Sequence, residues 1–321
     1  MIDTSRRGSV LISSLWILAI LSVLALGIGF RISVELKLNR YAMDRLKARY
    51  IAMGGFVRAE DALSRSANTY DSMFACGLSF PDETSMTSFF ADTLGDGSFS
   101  VGYKDGSIRR AGLRDEERCI NINTADPIKL ARLPGMTNEI AACIVDWRDV
   151  DNVPLDAGSE QGYYDLLERP YKCKNGPLTV SEELMLVKGM SAALFAGIKD
   201  YVTVYGDGKV NVNTAPYEVL IALGMTDLLA KRIIEYRNGQ DAKSGTPDDG
   251  IFQDVNIEVV LTDLPVQESA IVVSLKNSFT TKSQYFKIKS QAIVRSIVLK
   301  TLFYVVKKGE GKCELVSYRE Y

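Results

Sequence analysis

The sequence predicts an α+β protein: a long N-terminal helix, a small antiparallel sheet and a large all-α middle region. Three observations carry this. An uncharged run over residues 9–30 leads, with no proline before Pro81, into a further helical pattern. Segments rich in Val, Ile, Phe and Tyr lie at residues 99–111 and again from residue 271 onward. Between them one helical unit occurs twice, about 90 residues apart.

Residues 1–8 are short, polar and basic and end on Gly8. The 22 residues that follow would form a helix of about 33 Å, enough to cross a hydrocarbon core. Arg6 and Arg7 precede it, which keeps the leader in the cytoplasm and sends the bulk of the chain outward. A secretory signal would have a shorter apolar stretch followed by a small-residue cleavage site. Here the clean boundary precedes the apolar block. Cleavage between Gly8 and Ser9 would remove the leader and keep the helix; a plain uncleaved anchor is the other reading. Beyond the membrane, Met43, Leu46, Tyr50, Met53 and Val57 recur at helical spacing, the pattern of a face packed on a soluble domain. Gly54 and Gly55 either bend this helix or admit a close neighbour.

In the middle region, residues 120–149 and 210–238 match through Asn121/Asn211, Asn123/Asn213, Thr124/Thr214, Gly135/Gly224, Thr137/Thr226 and Arg148/Arg237. Gly189-Met190-Ser191 is a degenerate third echo. Each copy reads as a short strand end, an Asn-Thr helix cap, a first helix opening near Pro127 or Pro216, a Gly-Met-Thr turn and a second helix capped by the threonine. That is a helix–hairpin–helix unit. Trp147 and Tyr236 occupy matching positions and are expected in the core. Phe99 to Tyr103 and Ser107 to Ala111 flank Lys104-Asp105-Gly106 as a hairpin. Residues 271–275, 285–294 and 297–306 have strand composition.

Helix–hairpin–helix units raise a DNA-binding reading, in which a membrane-anchored protein of competence uptake holds phosphates on hairpin N–H groups. Charge opposes it. Residues 121–170 carry nine acidic and four basic side chains, and the whole chain has a net charge of -2, a surface that repels a polyanion. The chain has no histidine, which removes histidine acid–base, triad and metal-ligand chemistry. Cys76, Cys119, Cys143, Cys173 and Cys313 lack zinc spacing; a periplasmic location would permit a disulfide, with its pairing open. No phosphate-binding loop, dinucleotide motif or nucleophile elbow is present. A structural and assembly role, not an enzyme, is expected. The acidic run Asp149, Asp151, Asp156, Glu160 and Asp165 suits a hard cation, although its spacing is not that of an EF-hand. Asp241, Asp248, Asp249 and Asp254 read instead as a turn-rich surface loop.

The N-terminus resembles the class III signal of type IV pilin-like proteins, which a prepilin peptidase cleaves; here that implies cleavage after Gly8 and a mature, methylated Ser9. Ser9 departs from the usual Phe at that position. Ser13 stands fifth in the mature helix, where most such subunits carry Glu, and lacking that Glu is typical of K-type tip subunits. A run of matches follows from Asp146-Trp147-Arg148-Asp149-Val150-Asp151 through Gly158-Ser159-Glu160 and Pro170-Tyr171. It continues through Val187-Lys188-Gly189-Met190 and Tyr201-Val202-Thr203-Val204-Tyr205-Gly206 to Val210-Asn211-Val212-Asn213-Thr214. In order and spacing it resembles the type II secretion system minor pseudopilin K (GspK) family.

That resemblance implies a pilin-like frame. It divides into a leader (1–8), a transmembrane helix (9–30), its periplasmic continuation (31–70) and a first β-region (71–120). An inserted helical domain with helix–hairpin–helix, SAM-like repeats (121–264) and C-terminal strands (265–321) complete it. It also implies a tip complex with the I- and J-type minor pseudopilins that initiates or caps a pseudopilus of the major pseudopilin. Further implications are a single-pass inner-membrane location with the domain in the periplasm, and calcium in the helical domain, for which Asp149, Asp151 and Glu160 are the candidates. Contacts to partners are expected helix to helix along residues 9–63. A minor pilin of a type IV pilus would share only the N-terminus.

Overall fold

The computed structural model describes residues 5–74, 76–261, 264–295 and 298–321. Residues 1–4 of the expected leader lie outside the described residues. Helix α1 (Ser5–Arg65) is 61 residues long, about 90 Å at helical rise. Gly8 and Ser9 fall within its first turns. Its N-terminal part is long and apolar enough to cross a membrane, and those apolar side chains are bare.

The second half of α1 buries one stripe: Ala48, Ile51, Ala52, Phe56, Ala59 and Leu63. Their spacing of three and four residues puts them on a single face. The three alanines bring the helix backbone close to the sheet. At Gly55 the approach is closer still: a Cβ there would lie 2.6 Å from both the Phe99 ring and Ser290 Oγ. Gly55 therefore serves close packing. The stripe expected to pack is the bare one: Met43, Tyr50 and Val57 are 55%, 63% and 50% exposed, with Leu46 and Met53 beside them. Apolar periodicity marks a face that will be covered without saying by what. The domain's sheet can cover only one side of a helix, and it took the side with the smaller residues.

After α1, helix α2 (Glu83–Phe90), capped by the Asp82 carboxylate, leads into β1 (Ala91–Leu94), β2 (Gly97–Asp105), β3 (Ile108–Ala111) and β4 (Arg114–Asp115). The β2–β3 hairpin turns at Gly106, where φ is +60°, with Asp105 opposite Ile108, as the sequence predicts. The chain then builds a helical domain. Its elements are β5 (Ile120–Asn121), α3 (Pro127–Ala131), α4 (Asn138–Arg148), α5 (Gln161–Tyr164), a 3-10 turn (Ser181–Leu186), α6 (Ala192–Ile198) and β6 (Val202–Thr203). They continue with β7 (Val210–Asn211), α7 (Tyr217–Leu223), α8 (Asp227–Arg237), α9 (Ile257–Val260), α10 (Val266–Leu275) and β8 (Phe279–Thr280). The chain returns as β9 (Tyr285–Val294), β10 (Val298–Lys308) and β11 (Cys313–Glu320).

The sheet order is β1-β2-β9-β10-β11, all antiparallel, with β3 beside β2 and β4 beside β9. Asp115 on β4 pairs with Phe286 on β9. The helical domain thus leaves and re-enters the sheet at adjacent strands, an insertion with its own core around Trp147, Tyr164, Leu220 and Phe252. Residues 271–275, expected as a strand, belong to helix α10. Their Val-Ile composition suits either state, and tertiary packing decides. Val272 enters the helical core, and the buried Glu268 carboxylate accepts the Thr226 hydroxyl at 2.7 Å. The helical domain consequently runs past residue 264 to β8.

The junction between insertion and sheet is polar and buried. Asp115 accepts the Glu117 N–H and the Thr214 hydroxyl, Asp71 accepts the Ser283 N–H, and Glu117 accepts the Gln284 N–H. Arg118 pairs with Asp105 at 2.9 Å. Burial, and secondarily the charge of Asp115, pushes Asp71 up to about 7 and Glu117 up to about 8. These folded values exceed those of the unfolded chain, so the folded state binds extra protons between roughly pH 4 and 8. Stability therefore falls as pH rises through that window. In chelator, the full-length protein in detergent is expected to melt at a higher temperature at pH 6 than at pH 8, and Asp71→Asn to flatten that slope. A Gly55→Leu variant is expected to lose about 1–3 kcal/mol in chemical denaturation, because the helix must move off the sheet.

Candidate functional site: a carboxylate cluster in a duplicated frame

The two repeat copies place the same side chains in the same roles. Asn123 and Asn213 do not cap helices as expected. Each side chain instead clasps a distant backbone segment in both directions. Asn123 donates to Leu178 O (2.9 Å) and accepts Leu178 N–H (2.7 Å). Asn213 does the same with Phe252, at 2.9 and 2.8 Å. Asn121 and Asn211 each accept the N–H two residues on. Arg148 spans the carbonyls of Ile122 and Ala125, and Arg237 those of Val212 and Ala215. Helix α3 is capped by Asp126 and begins at Pro127, whereas Pro216 itself stands before α7.

After the first helix of each copy, Gly135 (φ +73°) and Gly224 (φ +109°) take the left-handed turn that a side chain resists. Thr137 and Thr226 cap α4 and α8, and Ser191 in the third echo caps α6. Trp147 and Tyr236 pack against Tyr164 and Phe252 respectively, as core residues.

At the end of α4 the frame carries a carboxylate cluster. Asp146, Asp149 and Glu160 each offer an oxygen within 4.8 Å of the others. Asp146 is fully buried on α4 and accepts the Leu155 N–H at 3.1 Å, which draws the following loop back over the helix. Gly158 makes room for it, since a Cβ there would lie 1.9 Å from Asp146 Oδ2. Asn175 ties down the same loop through the Asp151 carbonyl and the Asn152 side chain.

Both Glu160 carboxylate oxygens and Asp149 Oδ1 are buried without a hydrogen-bond partner. Burial first, and then the charges of Asp146, Asp149 and Asp151, raise Glu160 to about 7, and burial also raises Asp149. Three converging carboxylates with orphaned oxygens fit a hard, oxygen-seeking divalent cation.

Of the candidates read from sequence, the structure brings Asp149 and Glu160 together and leaves Asp151 outside the trio, its carboxylate accepting the Val153 N–H. Asp165 accepts Gln161, and Asp156 is exposed. Asp146 was missed. It lies one helical turn before Asp149, so an i, i+3 count along α4 would have found it. Asp248 and Asp249 accept N–H groups of their own loop, from Gln240, Asp241, Gly245 and Thr246, and Asp254 accepts Asn256. Those carboxylates build a loop, as the sequence suggests. The five cysteines are free thiols, four of them buried.

The family model "Type II secretion system (T2SS), protein K" matches residues 128–207, a stretch that holds most of the first repeat copy and the carboxylate cluster. The type II secretion system protein K of Klebsiella pneumoniae is 28% identical over 263 residues, covering 75% of this chain and 76% of that one. Over about three quarters of its length the chain is thus similar to type II secretion system protein K. The Pseudomonas aeruginosa member is 26% identical over 74% of both chains. The Aeromonas hydrophila member reaches 34% over 110 residues, 31% of this chain and 33% of that one. The fold is that of a solved chain in "the GspK-GspI-GspJ complex from enterotoxigenic Escherichia coli", with TM-score 0.65, 20% identity and coverage of 88% and 99%.

The repeated asparagines give a direct test of the frame. Asn213→Ala would strand the Phe252 N–H and carbonyl in the core, at a cost of about 1–3 kcal/mol each. Urea denaturation is expected to show that loss, with Asn213→Asp intermediate because it keeps the acceptor and loses the donor.

Proposed function

We propose that this protein is a K-type minor pseudopilin that forms the tip of a type II secretion pseudopilus, initiating or capping it, with a structural and non-catalytic role. The observation that carries the reading is the bare stripe Met43, Leu46, Tyr50, Met53 and Val57, continuous along α1 with the bare apolar residues of the membrane span. A single domain leaves that stripe uncovered. Partner helices of the same kind, from I- and J-type minor pseudopilins and the major pseudopilin, would cover it by ridge-into-groove packing. The helical insertion, hung from one end of the sheet, would obstruct a further subunit stacked above and so favours the tip. We read the two helix pairs α3/α4 and α7/α8 as SAM-like helix–hairpin–helix repeats used for architecture. The DNA-binding alternative has no support in the charge of that domain.

On the same reading, a prepilin peptidase cuts between Gly8 and Ser9, Ser9 is then methylated, and α1 anchors the chain once in the inner membrane with its domain in the periplasm. Calcium is the proposed ion for Asp146, Asp149 and Glu160, and Asp151 adds negative charge beside them.

Met53→Glu with Val57→Glu is expected to leave the domain folded and to abolish co-purification with the other minor pseudopilins and secretion; normal secretion would sink the assembly reading. Intact mass from native membranes is expected to start at Ser9. Saturating calcium, at about 100 times its Kd, is expected to stabilise the protein by about 2.7 kcal/mol. Because burial and neighbouring carboxylates raise Glu160 to about 7, binding should weaken below neutral pH, where the ion must displace a proton, and release few protons above it. Calorimetry that finds equal affinity in Glu160→Gln would reject this site.

A further inference from the structure

The sheet has a second face, turned away from α1, and the helical insertion folds over part of it. Between them lies a cleft of about 680 Å³. Strand alternation puts Lys287 and Lys289 on this face of β9, while Phe286 and Ile288 go to the α1 side. Phe303 on β10 stands directly opposite Lys289, whose ammonium lies 5.4 Å from the ring centre. Lys104 on β2 and Lys199, just after α6, close the ring of cations.

The cleft's carboxylates are already engaged. Glu182 is held by Arg319, Asp200 by Arg114 at 3.2 Å, and the Thr203 hydroxyl donates to Glu116 at 3.0 Å. Among the described residues none of the four lysines has an ion pair. Burial, and then the nearby Arg109 and Lys104, lowers the Lys289 pKa, while Lys287 feels the charge of Glu182 without pairing with it. In a chain of net charge -2 this is a local reversal, and like charges gathered on one sheet face destabilise it unless an anion arrives.

We propose that this cleft is a docking site for an acidic peptide segment of a partner protein, one that alternates carboxylates with an aromatic residue. Carboxylates would meet the four lysines, and the aromatic side chain would lie against Phe195 and Phe303, which line the same cleft and are only half-buried. A polyphosphate would leave the half-buried Phe195 and Phe303 uncovered, which favours a peptide. A lipid surface is out of reach. The first α1 residue packed in the sheet's core, Ala48, is 18 residues beyond Phe30, about 27 Å along the helix. The proposal goes beyond the assembly reading, which uses the opposite side of the sheet.

The test is fluorescence anisotropy with the full-length protein in detergent and a short labelled peptide of Asp, Glu and Phe. The expected result is saturable binding that weakens with salt and is lost when Asn and Gln replace the acids. A Lys287→Glu/Lys289→Glu variant should bind at least roughly tenfold more weakly, and Lys287→Gln/Lys289→Gln, with melting unchanged, should fall between. Equal binding of the neutral peptide, indifference to the charge changes, or binding of an oligonucleotide or anionic vesicle in place of the peptide would overturn the proposal. Both variants should still co-purify with the minor pseudopilins, which separates failure here from failure of the assembly reading.

Discussion

Everything in this molecule depends on how one helix is shared. Helix α1 has more apolar surface than its own domain can cover. The antiparallel sheet takes the narrow side, where alanines and Gly55 let strands approach within van der Waals contact. That close fit fixes the sheet's inner face and therefore its outer one. It leaves the wide side, with its tyrosine and methionines, for other helices. Hydrophobic burial is roughly proportional to area, so a long bare stripe is a standing drive toward association.

The inserted domain solves a different problem. Among the described residues its helices run to 11 residues at most, too short to hold their places by propensity alone. Buried amides do that work. Asn123 and Asn213 each satisfy both polar groups of a remote residue, and Arg148 and Arg237 span carbonyls at the start of each copy. Such contacts are costly to leave half made, so they select one packing of the short elements. The first copy then gains what the second lacks. Asp146 and Asp149 lie on one face at the end of α4, and a loop returns Glu160 to them. The corresponding loop after α8 spends its acidic groups on its own backbone.

Local signals were legible in the sequence, and partner choices were not. The membrane span, the β2–β3 hairpin, the Gly-Met-Thr turns and the threonine caps all depend on residues within a few positions of one another. The duplication exposed the core roles of Trp147 and Tyr236. Misreadings arose where the deciding partner is distant. Residues 271–275 have strand composition, yet Val272 meets a helical core that sequence cannot place. The repeated asparagines look like caps, yet their partners stand 55 and 39 positions away. Met43 to Val57 showed the right periodicity and the wrong neighbour. Asp146 stands one helical turn before Asp149, a spacing legible in the sequence, but the loop that returns Glu160 to the pair is not. The lysine cleft joins β2, β9 and the α6 end, and no local pattern could announce it.

The central claim is that the bare stripe of α1 is an interface between helices. It is tested most directly by photo-crosslinking in native membranes, with the reactive side chain placed at Tyr50 and, as a control, at the exposed Glu310 in the turn between β10 and β11. Adducts from position 50 to other pseudopilins, and none from position 310, are the predicted result. No adduct from position 50, or equal adducts from both, would contradict it.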